Sequence, residues 1–150
     1  MRQDRGAPQA QTRSMVTKLL IVTIGIYCLQ QSIYVMFPSL RGSNYFFIQW
    51  FALSYPQIEG LKLWTVFSYA FLHSTTSLLH IISNMVGLFF IGRIIEPIIG
   101  ARQLLLLYIC GALFGGFLFL LLHFDQNTVV LGASSSVMAL LSFFCLLYPE

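Results

Sequence analysis

The chain has 150 residues, of which 57% are apolar and only 9% charged, against about 45–50% and about 25% in soluble domains. The length allows one domain and the composition excludes one that lives in water. Eight Lys+Arg against five Asp+Glu give a formal charge of +3, but these charges lie singly between long uncharged runs, which excludes a nucleic-acid-binding stripe.

In chain order, residues 1–15 read as a polar cytoplasmic tail, carrying Arg2, Arg5 and Arg13 with Gln, Gly and Pro and no apolar periodicity. Residues 16–37 are long enough to cross a hydrocarbon core of ~30 Å, which takes about 20 helical residues; Gln30 and Gln31 weaken the run. A cleaved signal peptide is the alternative, and the absence of a small-x-small signal after the run favours a membrane helix. Residues 38–60 break the hydropathy, yet Tyr45, Phe46, Phe47, Trp50, Phe51 and Tyr55 crowd their middle. Rings with polar edges favour the bilayer interface, so this stretch is expected to be a partly helical loop on the membrane surface. Further spans are expected over residues 78–95, 103–122 and 129–148, joined by hairpin-length breaks. The predicted fold is all-α, a polytopic transmembrane helical bundle of about four spans over residues 16–150.

Six basic residues, Arg2, Arg5, Arg13, Lys18, Arg93 and Arg102, fall on one side of that topology and Arg41 and Lys62 on the other, which places the amino terminus in the cytoplasm. The fourth span then runs inwards from the outer face. Cys28, Cys110 and Cys145 each sit in a different apolar run with no C-x-x-C spacing, and are expected to pack as small hydrophobes.

Polar side chains inside a membrane must find a partner or a water-filled cavity. His80 and Asn84, four residues apart, share a helix face. They fit either a structural hydrogen bond to a neighbouring helix or a pair of donors at a reacting centre. Gly132-Ala133-Ser134-Ser135-Ser136 opens the fourth span. It fits either a small-residue packing seam or a nucleophilic serine, which needs a base and donors for the oxyanion it creates. Gly111 and Gly115 form a small-x-x-x-small seam on the third span, and Arg93 and Glu96, at i and i+3, are expected to pair at the inner interface. His80 and Asn84 lack the further ligands that zinc requires, and no glycine-rich loop suits a nucleotide. No metal and no cofactor are expected.

Together these fragments resemble the rhomboid intramembrane serine proteases. Leu63-Trp64-Thr65 leading to Phe71-Leu72-His73 is similar to the family's approach to its second helix. His80-Ile81-Ile82-Ser83-Asn84 is similar to its His-x-x-x-Asn motif, Gly92 to Gly100 with Glu96 between them to G-x-x-x-E-x-x-x-G, and Gly132-Ala133-Ser134-Ser135 to G-x-S-G. The resemblance covers residues 61–150. It implies an endopeptidase that cuts other transmembrane proteins near the membrane surface, with Ser134 as nucleophile. His80, Asn84 and the backbone N–H of Ser134 would form the oxyanion hole, and the aromatic loop over residues 44–55 would flank the site. The implied partners are transmembrane protein substrates and the lipid bilayer, with no nucleic acid.

The family's general base is a histidine on its sixth helix, so here it is expected beyond residue 150, and the domain reads as truncated after its fourth span. His123, in the outer loop, is the one in-chain alternative. Ser135 stands where the motif has glycine and adds a hydroxyl that competes for any base. Six residues separate His73 from His80 where the family has four, which predicts a displaced, supporting His73. Two other functions fit the residues: a non-catalytic rhomboid-like protein that binds transmembrane segments, and a transporter or channel subunit lined by His80, Asn84 and residues 134–136.

Overall fold

The computed structural model describes residues 14–41, 46–124 and 128–149. Most of the predicted tail, with its three arginines, lies outside the described residues, as do Asn44, Tyr45 and Asp125. Among the described residues there are seven helices: α1 (Met15–Met36), α2 (Phe46–Phe51), α3 (Tyr55–Glu59), α4 (Thr65–Ser68), α5 (Leu78–Ile99), α6 (Ala101–Leu122) and α7 (Ser134–Leu147). Short 3₁₀ turns occupy Pro38–Arg41 and Tyr69–Phe71. Three of the helices, α1, α5 and α6, are long and apolar enough to cross a membrane.

The starts and stops have local causes. Ser14 caps α1, its hydroxyl accepting the Thr17 N–H at 3.1 Å. Two further N–H groups of that first turn are taken by the Glu96 carboxylate, which accepts from Met15 at 2.6 Å and Val16 at 3.2 Å. The pairing expected between Arg93 and Glu96 is therefore not made. The carboxylate serves the amino end of α1, which needs acceptors, and the Arg93 guanidinium lies 4.7 Å from the centroid of the Phe89 ring. Pro97 sits in the last turn of α5 and does not end the helix; Gly100, at φ +87°, ends it. So α5 runs four residues past the predicted Ile95, and α6 begins at once at Ala101.

The fourth predicted span is corrected most. It begins at Ser134, not at residue 129, because Val130 pairs with Leu53 in an isolated antiparallel bridge. Gly132, at φ +120°, then turns the chain into α7. Fourteen residues make a helix of about 21 Å, shorter than the ~30 Å hydrocarbon core.

Small residues set the packing of α7. A Cβ on Gly111 would lie 2.6 Å from that of Ala139, and one on Gly115 would lie 2.3 Å from that of Ser135. The predicted Gly111/Gly115 seam is thus the line on which α6 meets α7. On α5, Gly87 faces Val137 and Gly92 faces Val16 in the same way. Between them Leu88, Ile95, Leu104, Tyr108 and Leu140 fill the core. The three cysteines point outwards, contrary to expectation. In a bundle solvated by lipid, an apolar residue gains little by facing inwards, so apolar runs do not single out the core face.

Candidate active site

Three consecutive serines leave α7 in three directions, since successive helical residues are rotated by about 100°. Ser134 is exposed at the amino end of the helix. The Ser135 hydroxyl lies 2.9 Å from that of Tyr69. Ser136 is fully buried and turns towards the Tyr108 hydroxyl in the core. Gly115, opposite Ser135, lies seven residues before Leu122, so the serines sit about 10 Å below the end of α6.

Both histidines of the α5 region meet the chain just before Ser134. His73 is 1% exposed, and its Nε2 accepts the Ala133 N–H at 3.5 Å. Its proton is therefore on Nδ1, which has no partner among the described residues. His80 stands so close to Gly132 that a Cβ there would be 2.6 Å from Nε2. The His80 Nδ1 accepts the Ser74 N–H at 3.4 Å, which leaves the proton on Nε2, facing the residues before Ser134. The two imidazoles are 5.2 Å apart, centroid to centroid. Asn84 donates one N–H of its amide to the His80 carbonyl at 2.7 Å, and the amide has a second to offer. His73, expected to be displaced, is instead central. The longer spacing is absorbed in residues 74–77, where Ser74 folds back on Thr76.

That turn is held from α1. Gln30 exchanges two hydrogen bonds with the His73 backbone, both 3.4 Å long, and Gln31 donates to the Thr75 carbonyl at 3.1 Å. The glutamines that weaken the first span as a hydropathy pattern thus position a histidine. Gln30, Tyr34, His73, Thr75, Thr76 and Leu131 line a cavity of about 190 Å³ beside the site. Burial above all, and then the charge His80 can carry, push His73 down to about 4; the neighbouring Phe71 backbone offsets them in part. His73 is neutral at physiological pH.

His123 ends α6, its ring stacked on Phe119 with centroids 4.5 Å apart and its Nδ1 3.1 Å from the Phe119 carbonyl oxygen. The hydrogen bonds made by the rings of the three histidines go to backbone groups and, among the described residues, none reaches Ser134.

The model of the Rhomboid domain matches residues 60–150. The chain belongs to the rhomboid family. It is 30% identical over 146 residues to RHOMBOID-like protein 12, mitochondrial, of Arabidopsis thaliana, covering 86% of this chain and 42% of that protein. It is 31% identical over 108 residues to the Rhomboid protease GlpG of Yersinia pestis (strain Pestoides F), covering 72% of this chain and 35% of that one. The chain therefore spans less than half the length of these relatives. The helical membrane bundle expected from the rhomboid resemblance is the fold observed. Tyr69 and Ser74 escaped the sequence reading, one being an aromatic among many aromatics and the other acting through its backbone.

Proposed function

We propose that this rhomboid chain carries the nucleophile and oxyanion-binding part of an intramembrane serine endopeptidase. The observation that carries the reading is the exposed Ser134 at the amino end of α7, with the protonated Nε2 of His80 turned onto Gly132, two residues before it. The first N–H groups of a helix have no intrahelical acceptor, and here they point with the helix dipole towards the space beside Ser134. Ser134 Oγ attacks the carbonyl carbon of the scissile bond. The oxyanion is received by His80 Nε2–H, the second N–H of the Asn84 amide and the Ser134 backbone N–H, where low dielectric strengthens each bond. The proton from Ser134 passes to a base and then to the leaving amine. Since the ring hydrogen bonds of His73, His80 and His123 go to the backbone, the reading assigns the base to a histidine beyond residue 150. The six-to-two asymmetry of basic residues favours an amino terminus in the cytoplasm with Ser134 towards the opposite face, within reach of transmembrane substrates.

A fluorophosphonate reagent tests this on the full-length protein in its membrane. Labelling that disappears in Ser134→Ala supports an activated serine, and equal labelling of both proteins refutes it. A second reading, a non-catalytic rhomboid that holds transmembrane segments, is favoured by the lack of a described histidine bonded to Ser134. It predicts no labelling and substrate retention unchanged by Ser134→Ala.

A further inference from the structure

We infer that Tyr69 is a positioning residue that commits the proton of Ser135, so that a base approaching α7 meets one available hydroxyl, that of Ser134. The inference rests on Ser134 being the nucleophile. Tyr69 is 2% exposed and holds the chain on both sides of Ser134. Its backbone carbonyl accepts the Gly132 N–H at 2.9 Å, and its hydroxyl meets Ser135 Oγ at 2.9 Å. The same hydroxyl donates to the Ala112 carbonyl of α6 at 2.6 Å.

The direction of these bonds follows from counting protons. A phenol has one hydrogen and a carbonyl has none to give, so the Tyr69 hydrogen belongs to Ala112. In the 2.9 Å contact the donor is therefore Ser135 and the acceptor is the Tyr69 oxygen. A serine hydroxyl also has a single hydrogen, and that of Ser135 is spent on the side of α6, away from Ser134. Burial raises the Tyr69 hydroxyl above its ordinary range, which keeps the phenol protonated and the arrangement intact. Gly115 leaves Ser135 no room to turn further into α6, since a Cβ there would be 2.3 Å from Ser135 Cβ and 2.8 Å from its Oγ. Ser135, the departure from the G-x-S-G pattern, is thereby accommodated by Tyr69.

The test measures fluorophosphonate labelling of Ser134 in the full-length protein in membranes, for wild type, Tyr69→Phe, Ser135→Ala and the double variant. Tyr69→Phe frees the Ser135 hydroxyl to compete with Ser134 for the base, and labelling should slow about tenfold. In the Ser135→Ala background the same change has no hydroxyl to release, so the double variant should label within about twofold of Ser135→Ala. A purely structural role for Tyr69 gives the same loss in both backgrounds and overturns the inference. Ser135→Ala alone gives an answer even if Tyr69→Phe fails to fold. Labelling within about twofold of wild type supports a committed proton, and severalfold faster labelling shows that Ser135 competes and overturns it. Wild-type protein that does not label at Ser134 defeats the nucleophile assignment and this inference with it, whereas labelling without Tyr69–Ser135 coupling defeats this inference alone.

Discussion

Replacing Gly132 with Ala puts two demands on one atom. The residue holds φ at +120°, a conformation that costs an L side chain roughly 1–3 kcal/mol. The new Cβ would also stand 2.6 Å from His80 Nε2 and 2.9 Å from Cε1, so the ring must retreat until it reaches the 3.4 Å at which ordinary contact begins. The ring is not at liberty to swing, because its Nδ1 accepts the Ser74 N–H and its own carbonyl holds the Asn84 amide. A displacement approaching 1 Å in a reacting geometry costs about 100-fold in rate. Gly132→Ala should therefore lower stability by roughly 1–3 kcal/mol and slow fluorophosphonate labelling of Ser134 by about two orders of magnitude. The assay is the second-order labelling rate of full-length protein in membranes, with the thermal midpoint measured alongside. A variant that melts lower yet labels at the wild-type rate would refute the argument, since it would show that the seat of His80 on Gly132 has no part in the reaction.

Other changes reach different parts of the same frame. Gly115→Ala forces α6 from α7 at the 2.3 Å contact with Ser135 and should cost about 1–3 kcal/mol by overpacking, read as a lower melting temperature in detergent. Glu96→Ala leaves the Met15 and Val16 N–H groups without their carboxylate. It should cost about 2 kcal/mol, with Glu96→Gln recovering part of the loss and labelling of Ser134 unchanged in both. The pH dependence of stability follows from His73, held at about 4 when folded against 6.5 for an unperturbed imidazole. Between those values the unfolded chain binds a proton that the folded chain refuses. Stability from this group is full above about pH 6.5 and is lost as the pH falls towards 4. A plot of melting temperature against pH should rise with pH over that window, and His73→Gln should flatten it.

What could be read from the sequence divides along a physical line. Composition and run length were enough for α1, α5 and α6, because a bilayer demands long apolar helices whatever their neighbours. His80, Asn84 and Ser134 stood out because polar groups at that depth need a reason. The misreadings concern partners on other elements. Spacing along one helix suggested Arg93 for Glu96, but the unmet need lay at the start of α1. Hydropathy could not place the beginning of α7, because Val129 and Val130 are as apolar as the helix itself and only pairing with Leu53 keeps that stretch extended. Gln30 diluted a span on paper and braces His73 in the fold. Tyr69 was one aromatic residue among its neighbours until the approach of α6 and α7 gave its hydroxyl two partners.

The Glu96 cap has a consequence for biogenesis. Met15 and its acceptor are 81 positions apart in the chain, so α1 is made and delivered to the bilayer well before the carboxylate that completes it. During that interval the first turn of α1 must take its hydrogen bonds from interfacial water or lipid headgroups, which restricts it to the edge of the membrane. Only when α5 arrives, carrying Glu96 near its far end, can those N–H groups be withdrawn from the interface. The cap is then a late step of assembly that joins an earlier inserted helix to a later one, and a bundle lacking it is unfinished even when every span has crossed.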